Sequence, residues 1–224
     1  MATSPTGKSL EVSGPRAVLV GVCLILGPAL NLVGDVLAPT YGETVATHFA
    51  AVASQLGRHV GSVSLWLLAL ILEAPAVLGL AAIAGTSARE ARLGRGMALT
   101  GLGAFLVLYL YEIKLASLAS GPGPLNTDSV ERVMTGGSYL AVLFLSQLWF
   151  FGLIALALAL RRAEIGPRAV PVLVLAGAAL GLVSLYLIPS RPAAIAASAL
   201  LAAGLGIAGV ELLRGRLGPA AGRS

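Results

Sequence analysis

"HVGSVSLWLLALILE", residues 59–73, decides how the chain is read. Its body is mainly Val, Leu, Ile, Ala and Trp, yet it opens on a histidine and closes on a glutamate. On a helix, residues separated by three, four or seven positions share a face. His59, Ser62, Trp66, Ala69 and Glu73 follow that progression, so the polar and aromatic residues form one stripe on an otherwise aliphatic helix. An acid turned towards hydrocarbon is costly. The stretch therefore predicts a membrane-spanning helix whose decorated face looks into a protein interior.

The rest of the chain agrees. Of 224 residues, 57% are hydrophobic and 11% charged, and the mean hydropathy is +0.91. A soluble domain carries about 25% charged residues. The apolar residues fall into six blocks, at roughly 17–38, 60–85, 97–119, 137–160, 169–188 and 192–213. Each can cross a core of about 30 Å at about 1.5 Å per residue. The expected fold is all-α: a polytopic membrane protein with a six-helix transmembrane bundle over residues 16–213. A disordered tail (1–15) precedes it and a short tail (214–224) follows, both cytoplasmic. The first block exceeds the usual apolar run of a signal peptide and contains Asn31 and Asp35, so it reads as an uncleaved span. "PSRP" (189–192) marks a tight hairpin, and "GPGPLNTD" (121–128) reads as loop. "GETVATHFAAVASQLGR" (42–58) has the spacing of a short interfacial helix. No period of 20–50 residues repeats.

The pI near 9.9 invites a nucleic-acid partner, but the basic residues do not cluster. They lie in the loops. With the N-terminus inside, Lys8, Arg16, Arg89, Arg92, Arg95, Arg161, Arg162, Arg168, Arg214, Arg216 and Arg223 are cytoplasmic, whereas Arg58, Arg132 and Arg191 are external. That bias orients the chain with both termini in the cytoplasm. Lys114 points away from Glu112 and can snorkel outward. Thirteen arginines against two lysines, with abundant Ala, Gly, Leu and Val, suit a GC-rich bacterial genome and a bacterial cell membrane. Cys23 is the sole cysteine, so disulfides and cysteine-based metal sites are excluded. There is no P-loop, HExxH, GxSxG or Asp-rich magnesium motif. No metal or other cofactor is expected.

Three further blocks carry stripes like that of the second. Pro28, Asn31 and Asp35 align in the first, Phe105, Tyr109 and Glu112 in the third, and Phe144, Gln147 and Phe151 in the fourth. Counted from the outer ends, Asp35 lies about 5 Å deep, Glu112 about 10 Å and Glu73 about 20 Å. A shared pocket in the outer half of the bilayer is expected. Asp35, Glu73 and Glu112 are its candidate catalytic acids, and Asn31, Trp66, Tyr109, Gln147 and Trp149 its candidate substrate contacts. His59 falls at the water boundary. The last two blocks, with "GAALG" (177–181) and "AAGLGIAG" (202–209), read as close-packed buttresses. Ionising a carboxyl group away from water is costly, which favours the neutral acid, and a neutral acid in a dry site is a proton donor.

The segment ETVATHFAAVASQLGRHVGSVSLWLLALILEAPAVLGLAAIA (43–84) resembles part of small six-span actinobacterial membrane proteins. The overall plan resembles the integral-membrane terpene cyclases of indole-terpenoid pathways. That resemblance implies an enzyme in which an acid within the spans protonates a prenyl epoxide or alkene. Glu73 best matches such an acid, with Asp35 a second candidate. The implied partners are the lipid bilayer and a hydrophobic prenyl substrate. A homodimer stays open. Two other readings of the same acids also stay open: a proton-coupled transporter or membrane-sensing subunit, and a structural protein whose acids tie helices together.

Overall fold

The computed structural model describes residues 14–42, 44–85, 89–121, 127–186 and 190–217. The expected tails at 1–13 and 218–224, most of the loop at 121–128, and Pro189 of the hairpin lie outside these residues. All regular structure among the described residues is helical: α1 (Pro15–Leu37), α2 (Val45–Ser54), α3 (Leu56–Ile83), α4 (Arg89–Ala119), α5 (Thr127–Met134), α6 (Gly137–Ser146), α7 (Leu148–Arg162), α8 (Ala169–Tyr186) and α9 (Arg191–Leu213). Five helical segments are long and apolar enough to cross a membrane: α1, α3, α4, the α6–α7 pair and α9. The sixth rod, α8, has 18 residues.

Local chemistry sets several of the ends. Pro15 occupies the first turn of α1, where its missing N–H is not needed. Thr44 and Thr47 cap α2 reciprocally, each hydroxyl accepting from the other residue's backbone N–H. Ser190 caps α9 by accepting from the Ala193 N–H at 3.3 Å. The C-terminal carbonyls of α1 are met by two arginines. Arg58 Nε donates to Leu37 O at 3.1 Å, and Arg191 Nη2 donates to Val36 O at 2.7 Å. Two basic residues assigned above to external loops are thus helix caps, with the charge sign a helix C-terminus favours.

The rods close into a ring. α1 packs on α3, α3 on α4, α4 on α6 and α7, α7 on α8, α8 on α9, and α9 back on α1. Neighbours run antiparallel, and six rods, unlike five, can alternate direction all the way round. Small residues let the backbones approach. A Cβ on Gly101 would strike the Trp149 backbone, and one on Gly209 would lie 2.6 Å from the Gly21 carbonyl. The aliphatic faces point outward: Leu68 and Ile71 of α3 are exposed, on the side opposite the His59–Glu73 stripe. At the end of the ring that holds the C-terminus of α1, α2 and α5 lie across the rods through Phe49, Leu115 and Val130. At the other end, Arg162 pairs with Glu90.

Candidate functional site

Between the rods lies a partly open chamber of about 140 Å³, towards the α2 end. All six rods contribute to it. α3 brings Trp66, Leu70 and Glu73, spaced four and three apart; α1 brings Asn31 and Asp35, also four apart. α4 adds Phe105 and Tyr109, and the start of α7 adds Trp149 and Phe150. α8 and α9 complete the wall with Gly181, Ser184, Ala194, Ala197 and Ser198. The aromatic rings form one connected surface. Trp66 stacks on Tyr109 at 5.3 Å, Tyr109 on Phe105 at 5.9 Å, and Phe105 meets Phe150 edge-on at 6.3 Å.

Two carboxyl groups open on this space, in different surroundings. Asp35 is held by two donors: Trp66 Nε1–H gives a 2.9 Å bond to Oδ1, and the Ser198 hydroxyl donates to Oδ2. Glu73 is buried against the backbone of Gly27, whose missing side chain makes room for it. Among the described residues no hydrogen bond or ion pair reaches the Glu73 carboxyl. On the side of Glu73 away from the chamber, its neighbours are Leu24, Pro28, Ala76, Val77, Leu80 and other apolar residues.

A second polar group sits at the α2 end. Glu112 Oε2 lies 3.4 Å from His48 Nε2 and 3.6 Å from His59 Nε2. His59 Nε2–H donates to the Glu112 carbonyl at 3.2 Å, and Nδ1 is hydrogen-bonded to the Tyr41 hydroxyl at 3.0 Å. Tyr41 also stacks on His48 at 4.3 Å. Burial, with the Glu112 carboxylate nearby, pushes the Tyr41 hydroxyl above its usual range, so it remains a donor. Among the described residues no three His, Cys, Asp or Glu side chains are disposed to hold a metal ion.

No family model, curated protein or solved structure matches this chain. Of the residues singled out in the sequence, Asn31, Asp35, Trp66, Glu73, Tyr109 and Trp149 line one chamber. Glu112 does not: it belongs to the histidine cluster one turn beyond Tyr109. Gln147 does not line it either. The rod breaks there, α6 ending at Ser146 and α7 starting at Leu148. The Gln147 side-chain amide and the Ser146 hydroxyl both donate to the Leu143 carbonyl. Phe144 and Phe151, seven residues apart, do share a face, but it is the outer one, 66% and 46% exposed, while Trp149 and Phe150 face inward.

Two further expectations need correcting. His59 is not at a water boundary but fully buried, 0% exposed, because Tyr41 and α2 cover it. The last two rods are more than buttresses, since Ser184 and Ser198 lie in the chamber wall. Sequence reading missed both serines, together with His48 and Phe150. A serine in an Ala/Gly-rich helix reads as a packing residue, and the available signal, Ser198 as one of two polar residues in its block, is weak.

Proposed function

We propose that the protein is a six-span enzyme of the bacterial cell membrane, with cytoplasmic termini, that starts cyclisation of a prenylated, lipid-soluble substrate by protonation, as membrane terpene cyclases do. The observation that carries this reading is the pairing of two unlike carboxyl groups in one aromatic chamber. Asp35 accepts two hydrogen bonds and is equipped to hold negative charge; Glu73 has none and is equipped to keep a proton. In the reaction, Glu73 gives its proton to a substrate alkene carbon or epoxide oxygen. The resulting cation is attacked by a second alkene of the same chain, and loss of a C–H proton to a carboxylate of the pair restores the charge balance. The faces of Trp66, Tyr109, Phe105 and Trp149 favour the passing cation, each by up to about 2 kcal/mol when desolvated. A cavity of about 150 Å³ holds benzene, so this chamber takes the reacting end of the substrate rather than the whole molecule.

The test is cyclisation of farnesyl- and geranylgeranyl-bearing substrates by membranes containing the wild type or Glu73→Gln. Loss of product with normal protein levels supports the assignment, and undiminished cyclisation by the variant refutes it. The histidine cluster beside the chamber favours a second reading, a proton-coupled transporter or sensing subunit. Proton uptake into proteoliposomes that is abolished by Glu73→Gln, with no cyclised product from any substrate, would select it.

A further inference from the structure

The chamber carries acidic groups that no basic side chain neutralises. No lysine or arginine lines it. Among the described residues no ion pair reaches Asp35 or Glu73. Arg191, at the start of α9, is directed instead to the Thr40 hydroxyl and the Val36 carbonyl. The Asp35 carboxylate thus rests on two uncharged donors, Trp66 and Ser198, and each of its oxygens has a further lone pair to offer. Asn31 and Tyr109 also line the space. Neither side chain has a hydrogen-bond partner among the described residues, so both oxygens remain free to accept. Trp66, Phe105, Tyr109, Trp149 and Phe150 bring five aromatic rings to the wall, from α3, α4 and α7. The face of such a ring carries the negative lobe of its quadrupole. A carboxylate, free oxygen acceptors and aromatic rings, with no basic group among them, suit a cation and no other charge type.

We infer that the chamber is a binding site for the ammonium group of a lipophilic amine, with Asp35 as its counter-ion and the aromatic rings as its walls. Size and lining select among cations. The space of about 140 Å³ is on the scale of the cavity of about 150 Å³ that holds benzene. An ammonium group with a small ring or branched alkyl group beside it fits that volume. A longer apolar chain can trail out, because the chamber is partly open. A bare metal ion such as calcium takes about six to eight oxygen ligands, which this largely carbon wall does not offer. An organic ammonium ion is larger and more weakly hydrated. Aromatic faces and a charge-assisted hydrogen bond to Asp35 replace the water it gives up. An uncharged group of the same shape meets the same walls but leaves the Asp35 charge unpaired. The inference goes beyond both functional readings above and rests on neither: the amine is substrate or regulator in the one and cargo in the other, and the site is the same.

Both tryptophans of the chain, Trp66 and Trp149, line the chamber, so fluorotryptophan-labelled full-length protein carries a fluorine NMR reporter only there. In detergent micelles the two resonances are followed as cyclohexylmethylamine, protonated at neutral pH, or cyclohexylmethanol, its uncharged isostere, is added. The preference for the amine over the alcohol, as a ratio of dissociation constants, should be about tenfold greater in wild type than in Asp35→Asn, the scale of one charge-assisted contact. Comparing ratios between the two proteins cancels partition into the micelle. Asparagine keeps an acceptor for Trp66 and a polar partner for Ser198, and unchanged affinity for the alcohol verifies that the wall is intact. Phe105→Leu removes a ring and no hydrogen bond, and it should lower the same ratio by about two- to fivefold. An equal ratio in wild type and Asp35→Asn overturns the inference, as does a wild type whose resonances do not respond to the amine. Where Asp35→Asn does not fold, an equal ratio in wild type and Phe105→Leu overturns it instead. Glu73 is unaltered in both variants, so neither result bears on the cyclisation test with Glu73→Gln.

Discussion

Gly34 is the position where fold and site are most tightly coupled. A Cβ added there would lie 2.6 Å from both Cδ1 and Nε1 of Trp66, and 3.3 Å from the Ser62 carbonyl. Non-bonded carbons rest at about 3.5–4.0 Å, so in Gly34→Ala the indole must retreat by roughly 1 Å. A shift of that size lengthens the 2.9 Å Trp66–Asp35 hydrogen bond past the normal N–H···O range. Overpacking of this kind costs about 1–3 kcal/mol. Losing a hydrogen bond to a charged group costs about 1.5–3 kcal/mol. Gly34→Ala should therefore destabilise by about 2.5–6 kcal/mol, the sum of the two. Trp66→Leu removes the ring and the N–H together, so adding Gly34→Ala to it should change stability by less than about 1 kcal/mol, a coupling of at least about 1.5 kcal/mol. Unfolding by SDS in mixed micelles, followed by far-ultraviolet circular dichroism, measures all four corners of the cycle. Equal costs for Gly34→Ala in both backgrounds would refute the argument that the indole is seated in the glycine notch.

Ser198→Ala should destabilise the bundle by about 1.5–3 kcal/mol in the same assay, since it strips one of the two donors from Asp35. Arg58→Ala and Arg191→Ala should each lower stability by about 0.3–1 kcal/mol through loss of charge at the α1 C-terminus, and the loss should shrink at high salt if it is electrostatic. Gly101→Ala should cost at least about 1–3 kcal/mol, because the obstructing group is the Trp149 backbone and cannot rotate away. Its neighbour Gly103 has nothing within 4 Å, and Gly103→Ala should be neutral or stabilising by about 0.5–1 kcal/mol.

The parts of this structure that were readable in the sequence are those set by a single helix. The α3 stripe predicts an inward face because helical periodicity alone brings Ser62, Trp66 and Glu73 together, and the pairs Asn31–Asp35 and Phe105–Tyr109 follow for the same reason. Glu112 shows where this stops. It shares the Tyr109 face of α4, but whether it meets the chamber or the histidines depends on α2, which folds back from a connection. Gln147 fails differently: the face shared by Phe144 and Phe151 turns outward, and the Gln147 amide bonds back to the Leu143 carbonyl. His59 looked wet because it begins an apolar run, and its burial comes from Tyr41, 18 residues earlier. Ser198 reaches Asp35 across 163 residues of sequence. Closure of the ring is a non-local event, and no local pattern announces it.

That closure also distinguishes the two acids. Asp35 sits on α1, and its donors come from the rods on either side, Trp66 from α3 and Ser198 from α9. Glu73 sits on α3 beside Gly27 of α1, with no donor from either neighbour. A negative charge is therefore better held by Asp35, where two formed hydrogen bonds favour it, than by Glu73, which has none. The asymmetry exists only while α9 is docked on α1. If α9 were displaced, Asp35 would lose the Ser198 bond, the chamber would lose the wall built from Ala194, Ala197 and Ser198, and the two carboxyls would become more nearly alike. The same antiparallel contact that seals the bundle thus sets how the surroundings of the two carboxyls differ.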